Sequence, residues 1–385
     1  MFDHRDPSRL LMAEADWYRD HGITVLTGHR AVRIDRESKV VISNKGTEVP
    51  YDHVVLSTGS YAWVPPIPGA EHKNVFVYRT IEDCQQIIEA ASSCKAAAVI
   101  GGGLLGLEGA KACYDMNVPE VHVVEGAPRL MVRQLDQEGG DLLKRKIEAL
   151  AEAPQTIHTH CDAATKQITC DQSGRVTGLD FKDGSRIECE MVIICTGVRP
   201  RDELAKECGL EVGARGGIVV DDSLATSDPD IFAIGEVACH KNMCYGLVNP
   251  GYEMADLLAT NLTTTTEARF GGGDLSCKLK LMGVDVASFG IYDGHPLWKD
   301  ALPFSYYDPF KGTAQAFWIL VPDEKQQNVN EWAINGRLKI AALRLRHRHL
   351  QETDVHPGWQ TIAGRHAGRR HRRLREVAYD EQVGR

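Results

Sequence analysis

Gly101, Gly103 and Gly106 stand at G-x-G-x-x-G spacing, behind the apolar run Ala98-Val99-Ile100 and at the head of a helix-compatible stretch, LLGLEGAKACYDM. That pattern suits a diphosphate. The first glycine permits a tight turn, the second lets backbone approach a pyrophosphate, and the third lets the helix pack on the strand. The helix N-terminus adds N–H groups and the positive end of its dipole. The spacing by itself is common. Here a second strand ends in Glu125, 19 residues after Gly106, where a carboxylate meets ribose hydroxyls. Such a carboxylate repels a 2′-phosphate, so NADH is expected to bind better than NADPH, with Arg129 and Arg133 close enough in sequence to soften the preference. A glycine-rich turn holding no ligand is the competing interpretation, and it leaves the agreement of spacing, flanks and acidic residue unexplained.

Other turns share the same setting. Val54-Val55-Leu56 runs into Thr58-Gly59-Ser60, Met191 to Cys195 runs into Thr196-Gly197, and the strand-like IFAI of residues 231–234 runs into Gly235-Glu236. Taken singly, a strand and turn with an acidic residue needs no ligand.

These chemistry-bearing turns require strands to carry them. Uninterrupted apolar runs suit strands buried on both faces of a parallel sheet, so the fold class is α/β. From Ile23 to Gly59 the chain reads as ITVLTG, AVRID, KVVISNKGTEVP and DHVVLSTG; from Gln155 to Gly197 it gives QTIHTH, a stretch with turns at Ser173-Gly174 and Asp183-Gly184, then MVIICTG. Each is a small antiparallel meander returning to a buried strand that ends in Thr-Gly. The pattern indicates an internal duplication of a Rossmann-like nucleotide-binding domain. Gly101 precedes Gly197 by 96 residues, so a matching glycine loop ahead of Gly59 falls some 37 residues before Met1. The first copy is therefore expected to lack its front, with ADWYRDHGITVLTG as the end of a helix entering the meander. A complete small β domain of unrelated origin is the alternative.

With 385 residues, 43% of them hydrophobic, the chain can form two or more cores. A formal net charge of −9 opposes general nucleic-acid affinity. No apolar run approaches the roughly 18 residues of a membrane span. The start, MFDHRDPSRLL, lacks the basic and apolar regions of a secretory signal, which points to a cytoplasmic location. Eleven cysteines, odd in number and without a C-x-x-C pair, read as free thiols, and no metal site is indicated. From Arg337 to Arg385 there are twelve Lys or Arg against five acidic residues. This basic tail, 321–385, is expected to be disordered rather than a polyanion-binding arm, because no apolar periodicity accompanies the charge.

Together these residues resemble the two-dinucleotide flavoproteins, in which FAD and NAD(P)H domains of similar fold face each other and the NAD(P)H domain is inserted in the FAD domain. The likeness narrows to the N-terminal flavin region of assimilatory nitrite reductase [NAD(P)H] large subunits. It is carried by TGSYAWVPPIPG, FVYRTIED, GGGLLGLE, QLDQEGGDLLKRKIEAL, CTGVRPRDELAKECGL, RGGIVVDDSLATSDPDIFAIGE, GLVNPGYEMADLLA and KLKLMGVDVASFG, over roughly residues 1–310. RQLDQEGG and LKLMGVDV are more particular to that family than the glycine loops.

The resemblance implies two Rossmann-like domains: residues 1–83 as the first part of a truncated FAD domain, 84–197 as the inserted NAD(P)H domain, 198–265 as the second FAD part, and 266–320 as a partial C-terminal region. It implies that Thr58, Gly59, Ser60, Gly235 and Glu236 contact FAD, that Arg79 lies near the flavin, that Gly101, Gly103, Gly106 and Glu125 serve NADH or NADPH, and that Gly197 also binds cofactor. Glu108 is implied as the catalytic acidic residue facing nicotinamide and flavin. The implied activity is hydride transfer from NAD(P)H to flavin, with electrons leaving to a redox acceptor domain or protein; a homodimer is compatible with it. The sequence departs from the family in lacking the first glycine loop and the paired cysteines for an iron-sulfur cluster beside sirohaem, so only the electron-entry part is expected. A stand-alone reductase for rubredoxin or ferredoxin, and a chain that binds NAD(P)H without catalysis, stay open. Cys239 and Cys244 have the C-x4-C spacing of disulfide-reducing relatives, but their place after the late FAD motif favours two buried or loop thiols.

Overall fold

Alternating apolar residues between positions 31 and 50 form a three-stranded antiparallel meander, Ala31–Asp35, Val40–Ser43 and Glu48–Pro50, in a computed structural model that describes residues 11–279, 284–289, 301–308, 313–320 and 340–347. Asp35 closes its first turn by accepting from the Glu37 and Ser38 amides, and Gly46, at φ +76°, closes the second. The meander leads to β1 (Val54–Leu56) and β2 (Ser60–Ala62). Ahead of it, a short helix, Ala15–Asp20, agrees with expectation. ITVLTG does not: residues 23–28 form no strand, and Ile23, Val25 and Leu26 are exposed. Strand-like composition needs a hydrogen-bonded neighbour to become a strand, and among the described residues none pairs with this segment.

The next segment builds a five-stranded parallel sheet. Its elements are β3 (Val75–Val77), α1 (Ile81–Ala91), β4 (Ala96–Ile100), α2 (Leu104–Asp115), β5 (Glu120–Val124), β6 (Thr156–His160) and β7 (Met191–Ile194). The spatial order is β3-β7-β4-β5-β6. Ala97, Ala98, Val99, Val121, Val123 and Val192 are fully buried, which explains the lack of polar alternation in these strands. Between β6 and β7 lies the second meander, Thr165–Cys170, Val176–Phe181 and Arg186–Glu188. Its apolar face closes one core with Ala98, Val124, Val192 and Ile194. The chain leaves β4 toward β5 on one side and returns as β7 on the other, making a switch point at the carboxyl ends of β4 and β7.

After β7 the chain returns to the first part. β8 (Val198–Pro200) pairs antiparallel with β2. β9 (Ile218–Val220), β10 (Ile231–Ala233), β11 (Ala238–His240), β12 (Met243–Cys244) and α3 (Val248–Thr263) follow. β10 lies parallel beside β1, and their core contains Leu56, Ile218, Ile231, Ala233, Met254 and Leu258. Salt bridges from Arg36 to Asp228 and from Lys39 to Asp230, each 2.6 Å, tie the first meander to the turn before β10. The two Thr-Gly segments are thus related in structure as in sequence.

Contacts divide the chain into two units, one of Met1–Pro128 with Ala151–Leu275, the other of Arg129–Leu150 with Ser276–Arg385. All elements labelled above lie in the first. In the second, helix Gln137–Glu148 starts at Asp136, whose carboxylate accepts from the Gly139 amide. Its antiparallel sheet runs in the order Cys277–Leu279, Val284–Phe289, Ile340–His347, Thr313–Leu320, Ala301–Asp308. Ile340–His347 falls in the tail expected to be disordered, yet pairs on both sides. Leu343 and Leu345 alternate with Arg344 and Arg346, a period-two pattern that suits a strand. Residues 321–339 and 348–385 of that tail lie outside the described residues. No described helix is long and apolar enough to cross a membrane.

Candidate functional site

The switch point sets Ile100 beside both Ile194 and Val124, so the glycine loop, the Thr196-Gly197 corner and Glu125 leave neighbouring strand ends. Gly101 has φ +120° and donates its N–H to the Val124 carbonyl at 2.7 Å. A Cβ there would stand 2.4 Å from the Cys195 carbonyl oxygen. At Gly106 it would stand 1.8 Å from the Gly101 oxygen. Packing within the protein therefore requires both glycines. Gly103 differs: it caps α2 at φ −84°, and a Cβ would meet nothing within 4 Å. No side chain caps this helix and its first turn holds no acidic residue. Its leading amides border the open space beside Gly103, which fits a phosphate.

Glu125 is bound into the loop. One carboxylate oxygen accepts from the Gly102 amide at 2.7 Å, the other from the Ala127 amide at 2.8 Å. Arg129, expected to soften cofactor preference, donates instead to the carbonyls of Leu135 (2.7 Å) and Val132 (3.3 Å) in its own loop. Arg133 is exposed.

The β2–β8 ribbon joins the two Thr-Gly corners. Thr58 Oγ1 donates to the Arg201 carbonyl at 2.6 Å, and the Arg201 amide donates to the Gly59 carbonyl at 2.9 Å. At the other end Thr196 Oγ1 donates to the Trp63 carbonyl at 2.7 Å, and the Trp63 amide to the Gly197 carbonyl at 2.9 Å. Gly59 and Gly197 have φ +67° and +107°, and each would turn a Cβ into open space.

A second cluster forms where β1 and β10 end side by side. The Ile234 amide donates to the Leu56 carbonyl at 3.1 Å, which aligns Ser60 with Glu236. Glu236 Oε2 accepts from Ser60 Oγ at 2.7 Å and from Arg79 Nη2 at 2.5 Å, and Arg79 also donates to Ser60 Oγ at 2.9 Å. Arg79 is placed by the start of α1. There Asp83 accepts from the Arg79 and Thr80 amides while Thr80 Oγ1 accepts from Asp83, a capping box written in the sequence as T-x-x-D. Gly235, at φ +74°, also faces open space, and its amide donates to Met254 Sδ at 3.3 Å.

Glu108 lies half-buried on α2, and burial pushes its carboxyl above the ordinary range. Tyr78 and Cys195 are near enough to sense its charge; burial pushes each of them up to about 12. Both pack on α2, where a Cβ at Gly109 would lie 3.8 Å from Tyr78 Cδ1 and from Cys195 Sγ. Sequence reasoning missed Tyr78, Cys195 and Met254. Tyr78 and Cys195 were reachable as neighbours of Arg79 and Thr196; a methionine on α3 carried no signal.

The structure thus gathers the expected residues into two groups. Gly101, Gly103, Gly106, Glu125 and Gly197 surround the switch point, with Glu108 on the helix rising from it, while Thr58, Gly59, Ser60, Arg79, Gly235 and Glu236 border the ends of β1 and β10. Gly59 and Gly235, open and at positive φ beside a held carboxylate, fit the phosphate and ribityl region of a flavin dinucleotide.

Residues 4–268 match the family described as pyridine nucleotide-disulphide oxidoreductase. The chain is 46% identical over 310 residues to the nitrite reductase (NADH) large subunit of Escherichia coli strain K12, covering 80% of this chain and 36% of that one. It is 37% identical over 275 residues to the assimilatory nitrate reductase electron transfer subunit of Bacillus subtilis strain 168, covering 71% and 34%. It therefore spans about a third of the length of these relatives. Among solved structures, a ferredoxin reductase from Rhodopseudomonas palustris superposes with a TM-score of 0.75 at 26% identity, covering 90% of this chain and 79% of that one. With the family match extending over more than half its length, the chain belongs to the pyridine nucleotide-disulphide oxidoreductases.

Proposed function

We propose that this chain is a cytoplasmic FAD-dependent NAD(P)H oxidoreductase that feeds electrons to a separate redox acceptor, as the entry module of a nitrite reductase-like enzyme in nitrate assimilation. The observation that carries this is the open face of Gly103 at an uncapped helix N-terminus. The names of the relatives, an NADH nitrite reductase and an electron transfer subunit, support the assignment.

In this proposal the first-turn amides of α2 bind the nicotinamide dinucleotide's diphosphate, and Gly103 leaves room for its approach. Glu125, fixed by the Gly102 and Ala127 amides, accepts from ribose hydroxyls. Gly59, Gly235 and Glu236 hold the flavin chain, with Glu236 fixed by Arg79 and Ser60. Glu108 lines the approach of the two rings, and Tyr78 and Cys195 keep water from its inner side. A bound flavin supplies the hydride acceptor and the conversion from two-electron to one-electron transfer. The protein's contribution is orientation, which removes the entropic cost of bringing two rings into register.

The test is to supply purified full-length chain with FAD and follow NADH-dependent reduction of ferricyanide. Turnover with bound flavin is expected; bound flavin without turnover contradicts the proposal. A second reading, NADH binding without flavin chemistry, is favoured by the exposure of Ile23, Val25 and Leu26 ahead of the first meander and of Val55 on β1. Heat on NADH addition with no flavin retained would select it.

A further inference from the structure

Cys239 and Cys244 face each other across a two-residue hairpin. β11 and β12 pair antiparallel with Cys239 opposite Cys244 and His240 opposite Met243. The turn residues Lys241 and Asn242 have φ +49° and +63°, as a type I′ turn requires. In such a hairpin the pair next to the turn is hydrogen-bonded, so the following pair is not, and its Cα atoms stand about 4.5 Å apart. Disulfides close over Cα separations of roughly 4.4–6.8 Å.

The two side chains also converge. A Cβ built on Gly217 would meet Cys244 Sγ at 2.5 Å and Cys239 Cβ at 3.1 Å, so both thiol-bearing side chains lie against one point of the adjoining loop. Cys244 Sγ donates to the Gly216 carbonyl of that loop at 3.6 Å. Cys239 is buried and Cys244 exposed. Cys244 is thus the partner nearer solvent, although burial against the loop pushes its thiol pKa up. The expectation of two buried or loop thiols did not include their opposition across a tight turn, which the spacing alone does not reveal.

We infer that Cys239 and Cys244 form an oxidant-responsive dithiol that a hydroperoxide converts to a cross-strand disulfide. Cys244 sulfur attacks a peroxide oxygen; the O–O bond breaks, a sulfenic acid forms, and the departing oxygen leaves as water with the thiol proton. Cys239 sulfur then attacks Cys244 sulfur; the S–S bond forms, the S–O bond breaks, and a second water leaves with the Cys239 proton. The two thiols lose two electrons and one hydrogen peroxide becomes two waters. The resulting link staples the segment between the Gly235-Glu236 turn and α3. It depends on hairpin geometry alone and stands whether or not flavin binds.

Trypsin provides the test, since cleavage after Lys241 separates Cys239, in residues 216–241, from Cys244, in residues 242–269. Full-length chain is exposed to hydrogen peroxide, its remaining thiols are blocked with N-ethylmaleimide, and it is digested without reductant. The expected product is one species with the mass of both peptides less two hydrogens, released by reductant and absent from untreated protein and from Cys244→Ser and Cys239→Ala. Recovery of both cysteines as maleimide adducts, of Cys244 as a sulfinic or sulfonic acid, or of either peptide linked to a different cysteine overturns the inference.

Discussion

Replacing Gly103 and Gly106 separately by alanine distinguishes a glycine required by a ligand from one required by the fold. In Gly106→Ala the new Cβ would lie 1.8 Å from the Gly101 oxygen and 2.8 Å from its carbonyl carbon, so ordinary contact at 3.4 Å is recovered only if turn and helix separate by 1.6 Å. Forcing a methyl into such a site costs about 1–3 kcal/mol. For a folding unit of this size that lowers Tm by roughly 2–12 °C. In Gly103→Ala the Cβ meets nothing within 4 Å, and φ −84° is ordinary for alanine. The structural cost is a poorer helix cap, about 1 kcal/mol or less. The methyl does occupy the volume assigned to the diphosphate. A steric penalty of about 1–3 kcal/mol there weakens NADH binding by roughly 5- to 150-fold. Calorimetric titration and thermal melting on the same preparations read both quantities. Wild-type NADH affinity in Gly103→Ala would refute the placement of the phosphates, and an unchanged Tm in Gly106→Ala would refute the packing.

Glu125→Ala removes the acceptor held by the Gly102 and Ala127 amides; the ratio of kcat/KM for NADH over NADPH should fall, and an unaltered ratio would remove Glu125 from cofactor choice. Arg79→Ala, Glu236→Ala and the double variant should be non-additive in flavin affinity by about 0.5–3 kcal/mol, since all share one hydrogen-bonded cluster; strict additivity would show no coupling. Burial raises the Glu108 pKa, so the folded state binds that proton more tightly than the unfolded state. The resulting destabilisation is absent below the ordinary carboxylate range and complete above the raised value, so Glu108→Gln should raise Tm at neutral pH and not in acid. His122, buried beside His160 and His158, is pushed down to about 4. The unfolded chain takes up its proton first, so stability falls as pH drops from about 6.5 toward 4, and His122→Gln should flatten that decline in acid melting curves.

What the sequence disclosed was local. The glycine spacing and the apolar strands are each written within a few residues and hold in the structure. ITVLTG failed because its composition suits a strand while pairing depends on a neighbour far away in the chain. Ile340–His347 was missed for the opposite reason: the density of basic residues concealed an alternation that a sheet can use. The roles of Met254, Tyr78 and Cys195 arise from packing across distant segments, which no single-residue pattern encodes. The opposition of Cys239 and Cys244 lay within six residues of sequence, yet required two successive left-handed residues in a chain position where neither is glycine.

The most direct measurement is a crystal structure of the full-length chain with NADH and FAD. The diphosphate of NADH is predicted to lie within hydrogen-bonding distance, about 2.7–3.2 Å, of the first-turn amides of α2, over the open face of Gly103. Density for NADH elsewhere, with that helix end bare, would contradict the account.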